Sequence, residues 1–181
     1  MINFIKIDGI NEITRELVLY SDSITYNIDQ TSSHSLKNND IPNELPMLHN
    51  WLSKTFKLYP IIYKFYFLPP KTSMKPHIDH RGSYRIPWGL NIPVANANCA
   101  KLCFYDCPEE NIKTKIVGRH IAYAAPMDPT KMTLLNSYVV DAPCILRTDV
   151  MHDAINNSET LTRIMFLLRW NDSRKYEDLL I

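Results

Sequence analysis

The chain has 181 residues, 45% of them hydrophobic and 22% charged, with a formal net charge of +1 at neutral pH. That length suits one domain with a sizeable core, and the near-balance of charge argues against a protein that wraps nucleic acid, which normally carries a strong basic excess. No apolar run approaches the roughly 20 residues of a membrane span. The opening, MINFIKIDGINEITREL, has no basic stretch followed by an apolar core, so a cytoplasmic location is expected.

Asn11 to Tyr20 carries Ile13, Leu17 and Tyr20 at helical spacing. The polar stretch from Ser21 to Asp40, rich in Ser, Asn and Asp, reads as a long loop. Pro42 opens a second helix running to about Lys57, with Leu45, Leu48, Trp51, Leu52 and Phe56 along one side; Pro46 falls early enough to be tolerated. From Ile61 the texture changes. Strand-like runs follow one another: IIYKFYFL, SMKPHID, YRIPWGLNIPV, AKLCFYD, TKIVGRHIAYAA, MTLLNSYVV, APCILRT and LTRIMFLLRW. They are rich in aromatic and β-branched residues and are separated by Pro, Asn, Asp and Gly. Short strands in series without intervening helices point to an antiparallel sandwich or barrel. The organisation expected is one domain over residues 1–181: helical support and loop over 1–58, a β-rich core over 59–171, and a tail over 172–181 that forms a short helix from Ser173 to Ile181.

Cys99, Cys103 and Cys107 repeat every four residues, but no paired C-x-x-C knuckle is present, and on a strand this spacing spreads them too far apart for one metal. With Cys144 they read as plain thiols. Between Lys54 and Arg85, seven Lys and Arg residues face the single acid Asp79. This is either a solvated basic face or a positive rim that draws in an anionic ligand.

The chemistry concentrates in KPHIDHRGSYRIPWGLNIPV. His77 and Asp79 are two apart, so on a strand both side chains leave the same face. His152, in RTDVMHDAINNSET at the end of another strand, is the candidate third donor, with Asp149 and Asp153 as lesser substitutes for Asp79. Two imidazoles and one carboxylate occupy one face of an octahedral Fe(II) and leave the other open. Arg163, eleven residues beyond His152, shares a strand face with Met165 and Leu167. An arginine among such neighbours calls for a carboxylate partner. In YRIPWGLNIPV, alternation puts Tyr84, Ile86, Trp88, Leu90 and Ile92 on a packing face, and Arg85, Gly89 and Asn91 on a small polar face suited to a cavity. Tyr63 and Tyr66, on the strand before the motif, are candidates to reach a carboxylate through a hydroxyl. His80 alternates to the opposite face from Asp79, and His34 and His49 lie outside the β core.

His-Ile-Asp, a distant His and an Arg about ten residues later resemble the Fe(II)- and 2-oxoglutarate-dependent dioxygenases. Arg85 after the first His, and HDAINNSETLTR at the second, resemble more narrowly the aspartyl/asparaginyl β-hydroxylase-like branch. The resemblance covers roughly residues 61–170. It implies a mainly β fold, a double-stranded β-helix (jelly roll, cupin-like) with N-terminal helices packed on it. It implies Fe(II) on His77, Asp79 and His152, with 2-oxoglutarate as cosubstrate and dioxygen as oxidant. Arg163 would hold the distal carboxylate of 2-oxoglutarate, with Arg85, Asn91 and Tyr63 as further cofactor-binding residues. The reaction implied is hydroxylation of a carbon on a peptide side chain or small molecule, with release of succinate and carbon dioxide. Members of that branch can lack the metal carboxylate, whereas Asp79 is present here. Two rival readings stay open: a non-catalytic jelly-roll module that binds metal or carboxylate, and a cupin-type metalloenzyme that does not use 2-oxoglutarate.

Overall fold

The computed structural model describes residues 4–7, 10–27, 29–81, 84–117, 120–170 and 180. Two sheets face one another. The larger has six strands in the order β1 (Phe4–Lys6), β11 (Cys144–Arg147), β6 (Trp88–Ala95), β13 (Arg163–Trp170), β3 (Ile62–Leu68) and β2 (Ser32–Leu36), antiparallel throughout. Opposite it lie two ladders. One runs β10 (Thr133–Val139), β7 (Ala100–Asp106), β12 (His152–Asn156); the other runs β5 (Tyr84–Arg85), β4 (Ile78–Arg81), β9 (His120–Pro126), β8 (Ile112–Val117). Bridges Ser73↔Ile155 and His77↔His152 stitch the two ladders together. The result is a mainly β double-stranded β-helix, as the family resemblance implied and within the sandwich or barrel expected from the strand series.

Helices α1 (Asn11–Ser21), α2 (Ile41–Glu44) and α3 (Pro46–Thr55) cover the outer face of the larger sheet. Strict alternation decides which strand residues meet them. Tyr63, Phe65 and Phe67 of β3, Leu90 and Ile92 of β6, and Ile164, Phe166, Leu168 and Trp170 of β13 pack against Leu17, Leu48 and Leu52 in one core. The alternate residues of β13, with Leu102, Phe104, Cys144 and Leu146, form a second core between the sheets.

The single helix expected from Pro42 to Lys57 is broken at Leu45, whose φ of −134° and ψ of 64° are non-helical. A residue before proline is pushed out of the helical region, so Pro46 starts a new helix instead of continuing the old one. The stretch read as a loop over 21–40 contains β2, an edge strand of small polar residues in which apolar periodicity is absent. The run TKIVGRHIAYAA divides into β8 and β9, paired as antiparallel neighbours. Of the tail expected to be helical, only Leu180 is among the described residues, bridged to Phe56. Among the described residues no helix is long and apolar enough to cross a membrane. Nor do the cysteines form a disulfide or join a three-donor cluster there.

Candidate metal centre

His77 and His152 sit directly opposite one another where the two ladders meet, each backbone N–H donating to the other's carbonyl at 2.9 Å. Two residues on, Asp79 N–H donates to Thr148 O at 3.0 Å, so its carboxylate emerges on the same side. One donor atom from each of the three side chains lies within 4.8 Å of the others. His152 therefore opens β12, where the sequence suggested the end of a strand.

Both imidazoles are oriented by backbone. His77 Nδ1 contacts Lys75 O at 2.8 Å and His152 Nδ1 contacts Val150 O at 2.9 Å. A ring nitrogen facing a carbonyl must carry the proton, which leaves each Nε2 lone pair free for a metal. His152 is pushed down to about 4, first by burial and then by the charge of His77, so it is neutral at pH 7. Burial also disfavours the charged form of His77, but the Asp79 hydrogen bond and charge and the Lys75 carbonyl outweigh it, and its net shift is upward. Burial would raise Asp79. Arg169 and the two histidines more than offset that and hold it well below the usual carboxylate range.

Arg169 is the participant that the sequence reading did not single out. Its Nε donates to Asp79 Oδ2 at 2.6 Å, and its Nη1 donates to Asn91 Oδ1 at 2.9 Å and to Leu168 O at 3.0 Å. One Asp79 oxygen is thereby capped, while Oδ1 lies 3.4 Å from His77 Nε2 on the metal side. Arg169 crosses Gly89, its register partner on β6. A Cβ there would come within 2.8 Å of the guanidinium carbon, so glycine is needed for the close approach. The signal was available: Arg169 continues the inward alternation of Arg163, Met165 and Leu167.

Beside the triad opens a cavity of about 480 Å³, whose lining includes Lys64, Tyr66, His77, Asp79, Tyr123 and Arg169. Two imidazole nitrogens, one anionic oxygen and adjoining open space fit a divalent iron that keeps free positions, with His77 giving up the proton that its raised pKa favours.

The remaining candidates fall elsewhere. Tyr63 is on the outer face of β3, 3% exposed in the helix-packed core, because it is an odd number of residues from Tyr66; Tyr66 lines the cavity instead. Arg85 lies on an exposed strand and pairs with Glu109 at 2.7 Å, away from the cavity lining. Asn91 is buried and holds Arg169 in place. Arg163 is buried on the inward face of β13, one ladder step beyond the Tyr66–Met165 pair, and its Nε and Nη2 have no hydrogen-bond partner among the described residues. Burial lowers its pKa to about 10. Asp149 pairs with Arg147, and Asp153 points to the opposite face of β12, beside Cys103 and Tyr105. Ile86, expected to pack outward, lines the cavity, and His80 lines it too. The backbone between β5 and β6 interrupts the alternation that placed Ile86.

Fold and site together define a double-stranded β-helix carrying a two-histidine, one-carboxylate cluster at the mouth between its sheets. Solved structures of similar fold include the following three. The epimerase SnoN, in complex with Fe3+, α-ketoglutarate and nogalamycin RO, matches with a TM-score of 0.58 at 9% identity, covering 92% of this chain and 78% of its own. The non-haem α-ketoglutarate-dependent carbocyclase SnoK from nogalamycin biosynthesis matches at 0.58 and 10% identity, covering 92% and 79%. The viral collagen prolyl hydroxylase of Paramecium Bursaria Chlorella virus-1, a 2-oxoglutarate complex, matches at 0.50 and 10% identity, covering 93% and 95%. No protein-family model matches the chain, and no curated protein matches it by sequence.

Proposed function

We propose that the protein is an Fe(II)- and 2-oxoglutarate-dependent dioxygenase that hydroxylates a carbon of a peptide side chain or small molecule. The observation that carries this reading is the convergence of His77, Asp79 and His152 within 4.8 Å of one another beside an open cavity that His77 and Asp79 line, with both Nδ1 atoms tied back. These three residues hold the iron. When bound with 2-oxoglutarate, iron supplies dioxygen activation coupled to decarboxylation, releasing succinate and carbon dioxide.

The chain's own residues orient the reactants. Arg169 occupies Asp79 Oδ2 and presents Oδ1 to the metal. Arg163, charged and without a partner for two of its nitrogens, receives the distal carboxylate of 2-oxoglutarate. The Tyr66 hydroxyl, held protonated by burial and by the Asp79 charge with a pKa near 12, is placed to donate to the same molecule. Phe104 and Leu167 supply an apolar floor beside the cluster. Hydroxylation is the outcome favoured by the likeness of His152, Asn156 and Arg163 to the aspartyl/asparaginyl β-hydroxylase-like pattern. The similar folds carry epimerisation and carbocyclisation as well.

The test is succinate formation from 2-oxoglutarate with iron and ascorbate. Wild-type protein is expected to turn over 2-oxoglutarate slowly without substrate, and His77→Ala or His152→Ala to lose both iron and turnover. Arg163→Met is expected to raise the 2-oxoglutarate requirement ten- to a hundredfold, about 1.5–3 kcal/mol for a charged hydrogen-bonded pair. Iron content that survives both histidine changes rules the reading out.

A further inference from the structure

The inward faces of β3 and β13 carry three cations: Arg169, which is paired with Asp79, and Arg163 and Lys64 at different depths. Arg163 is opposite Leu68, and Lys64 is opposite Leu167. Four residues of strand separate those rungs, roughly 13 Å along the ladder. Arg163 is 3% exposed and outside the cavity lining, on the rung whose partner Leu68 accepts from Asn156 Nδ2. Lys64 lies at the level of the metal cluster and lines the cavity. Among the described residues Lys64 has no ion pair. The one acid lining the cavity, Asp79, is engaged by Arg169.

Under the 2-oxoglutarate reading, on which this inference rests, a diacid with one end on the metal has a single free carboxylate. It can satisfy Arg163 or Lys64, not both. Arg163 is almost wholly buried and costs the more to leave bare, so the cosubstrate belongs there. Lys64 then still faces the cavity with its charge uncompensated. Around it stand Tyr66, Tyr123, Ile62 and Ile86, a wall suited to an apolar or aromatic body.

We infer that the primary substrate is a small anion with an apolar body, its carboxylate or phosphate held by Lys64 beside the metal, at a subsite separate from that of 2-oxoglutarate. A neutral substrate would leave a half-buried ammonium facing a desolvated cavity. A cationic one would meet Lys64, Lys75 and Arg169 together.

The experiment uses the full chain loaded anaerobically with Fe(II). The affinity for 2-oxoglutarate is read from the iron-to-keto-acid charge-transfer absorbance. Benzoate, phenyl phosphate and neutral benzamide are then titrated into the complex, and the shift of that absorbance is followed. Benzoate or phenyl phosphate, whichever headgroup the site prefers, is expected to bind at least tenfold more tightly than benzamide. Lys64→Met and Lys64→Gln are expected to abolish that preference and to change 2-oxoglutarate affinity less than twofold. Arg163→Met is expected to weaken 2-oxoglutarate at least tenfold. Weakened 2-oxoglutarate binding in both Lys64 variants, with Arg163→Met unaffected, would assign Lys64 to the cosubstrate and overturn the inference. Unchanged discrimination of the probes in the Lys64 variants, with 2-oxoglutarate bound normally, would overturn it while leaving the oxygenase reading intact. Absence of any charge-transfer band would remove the oxygenase reading itself.

Discussion

Replacing Arg169 by methionine isolates the contact that shapes the metal carboxylate. The change keeps the stem packed against Gly89 and removes the guanidinium, leaving Asp79 Oδ2 and Asn91 Oδ1 without their donor. The pair is largely buried, with side-chain exposures of 7% for Arg169 and 20% for Asp79. Breaking a buried ion pair from one side costs about 3–5 kcal/mol. Asp79 keeps some access to water through the cavity, so the low end, about 3 kcal/mol, applies. For a chain of this length that is a fall in Tm of about 6–12 °C. The assay is thermal unfolding of chelator-treated protein at pH 7 and again at acid pH. The folded pKa of Asp79 is depressed, so its stabilisation is complete above the unfolded value of about 3.9 and is lost as pH falls through the folded value. The gap between wild type and variant should therefore be full at pH 7 and close below about pH 4. A drop smaller than about 2 °C at pH 7, or a gap unchanged at pH 3, would refute the reasoning, because the pair would then contribute little net free energy.

Three other outcomes follow from the same geometry. Gly89→Ala should push the Arg169 guanidinium off Asp79 and cost about 1–3 kcal/mol of overpacking, measurable by the same melts. Arg163→Met should do the opposite to the metal-free protein: removing a buried charge that has no partner among the described residues should stabilise it by on the order of 1–3 kcal/mol, read as a higher Tm, even as 2-oxoglutarate binding weakens. Binding of Ni(II) should weaken with a slope near one proton per pH unit between about pH 6.5 and about pH 5. Of the three ligands only His77, with its raised pKa, gives up a proton there; His152 is neutral down to about 4 and Asp79 is already ionised. That same raised pKa stabilises the metal-free fold below about 6.5 and ceases to do so as pH rises through the folded value. A slope of two, measured by calorimetry in buffers of different ionisation heat, would count against this assignment.

Much of the site was legible because period-two alternation is a hard constraint. His77 and Asp79 had to leave one face, and β7 begins and ends where AKLCFYD does. The same rule, applied one residue further along β13, would have added Arg169, and applied to β3 it separates Tyr66 from Tyr63. Other features had no local signal. His152 meets His77 across 75 positions of chain, through a pairing that only the tertiary ladder creates. Arg85 looked like a cavity residue until Glu109, 24 positions away, captured it. The edge strand β2 carries no apolar alternation; it pairs with β3 along its length, with Leu36 at its end packed on the helix-covered core. The break at Leu45 was readable from Pro46, had the steric demand of proline on its predecessor been weighed above the continuity of the apolar stripe.

The two imidazoles answer to main-chain oxygens, each from a position two residues upstream. Main-chain oxygens fix the Nδ1 edge of each ring, while Tyr123 meets His77 edge-on and Phe104 lies against His152. Ile62, Tyr66 and Ile86 line the cavity without supplying either of those main-chain contacts. The opening can therefore change its lining while the three donor atoms stay where the backbone puts them.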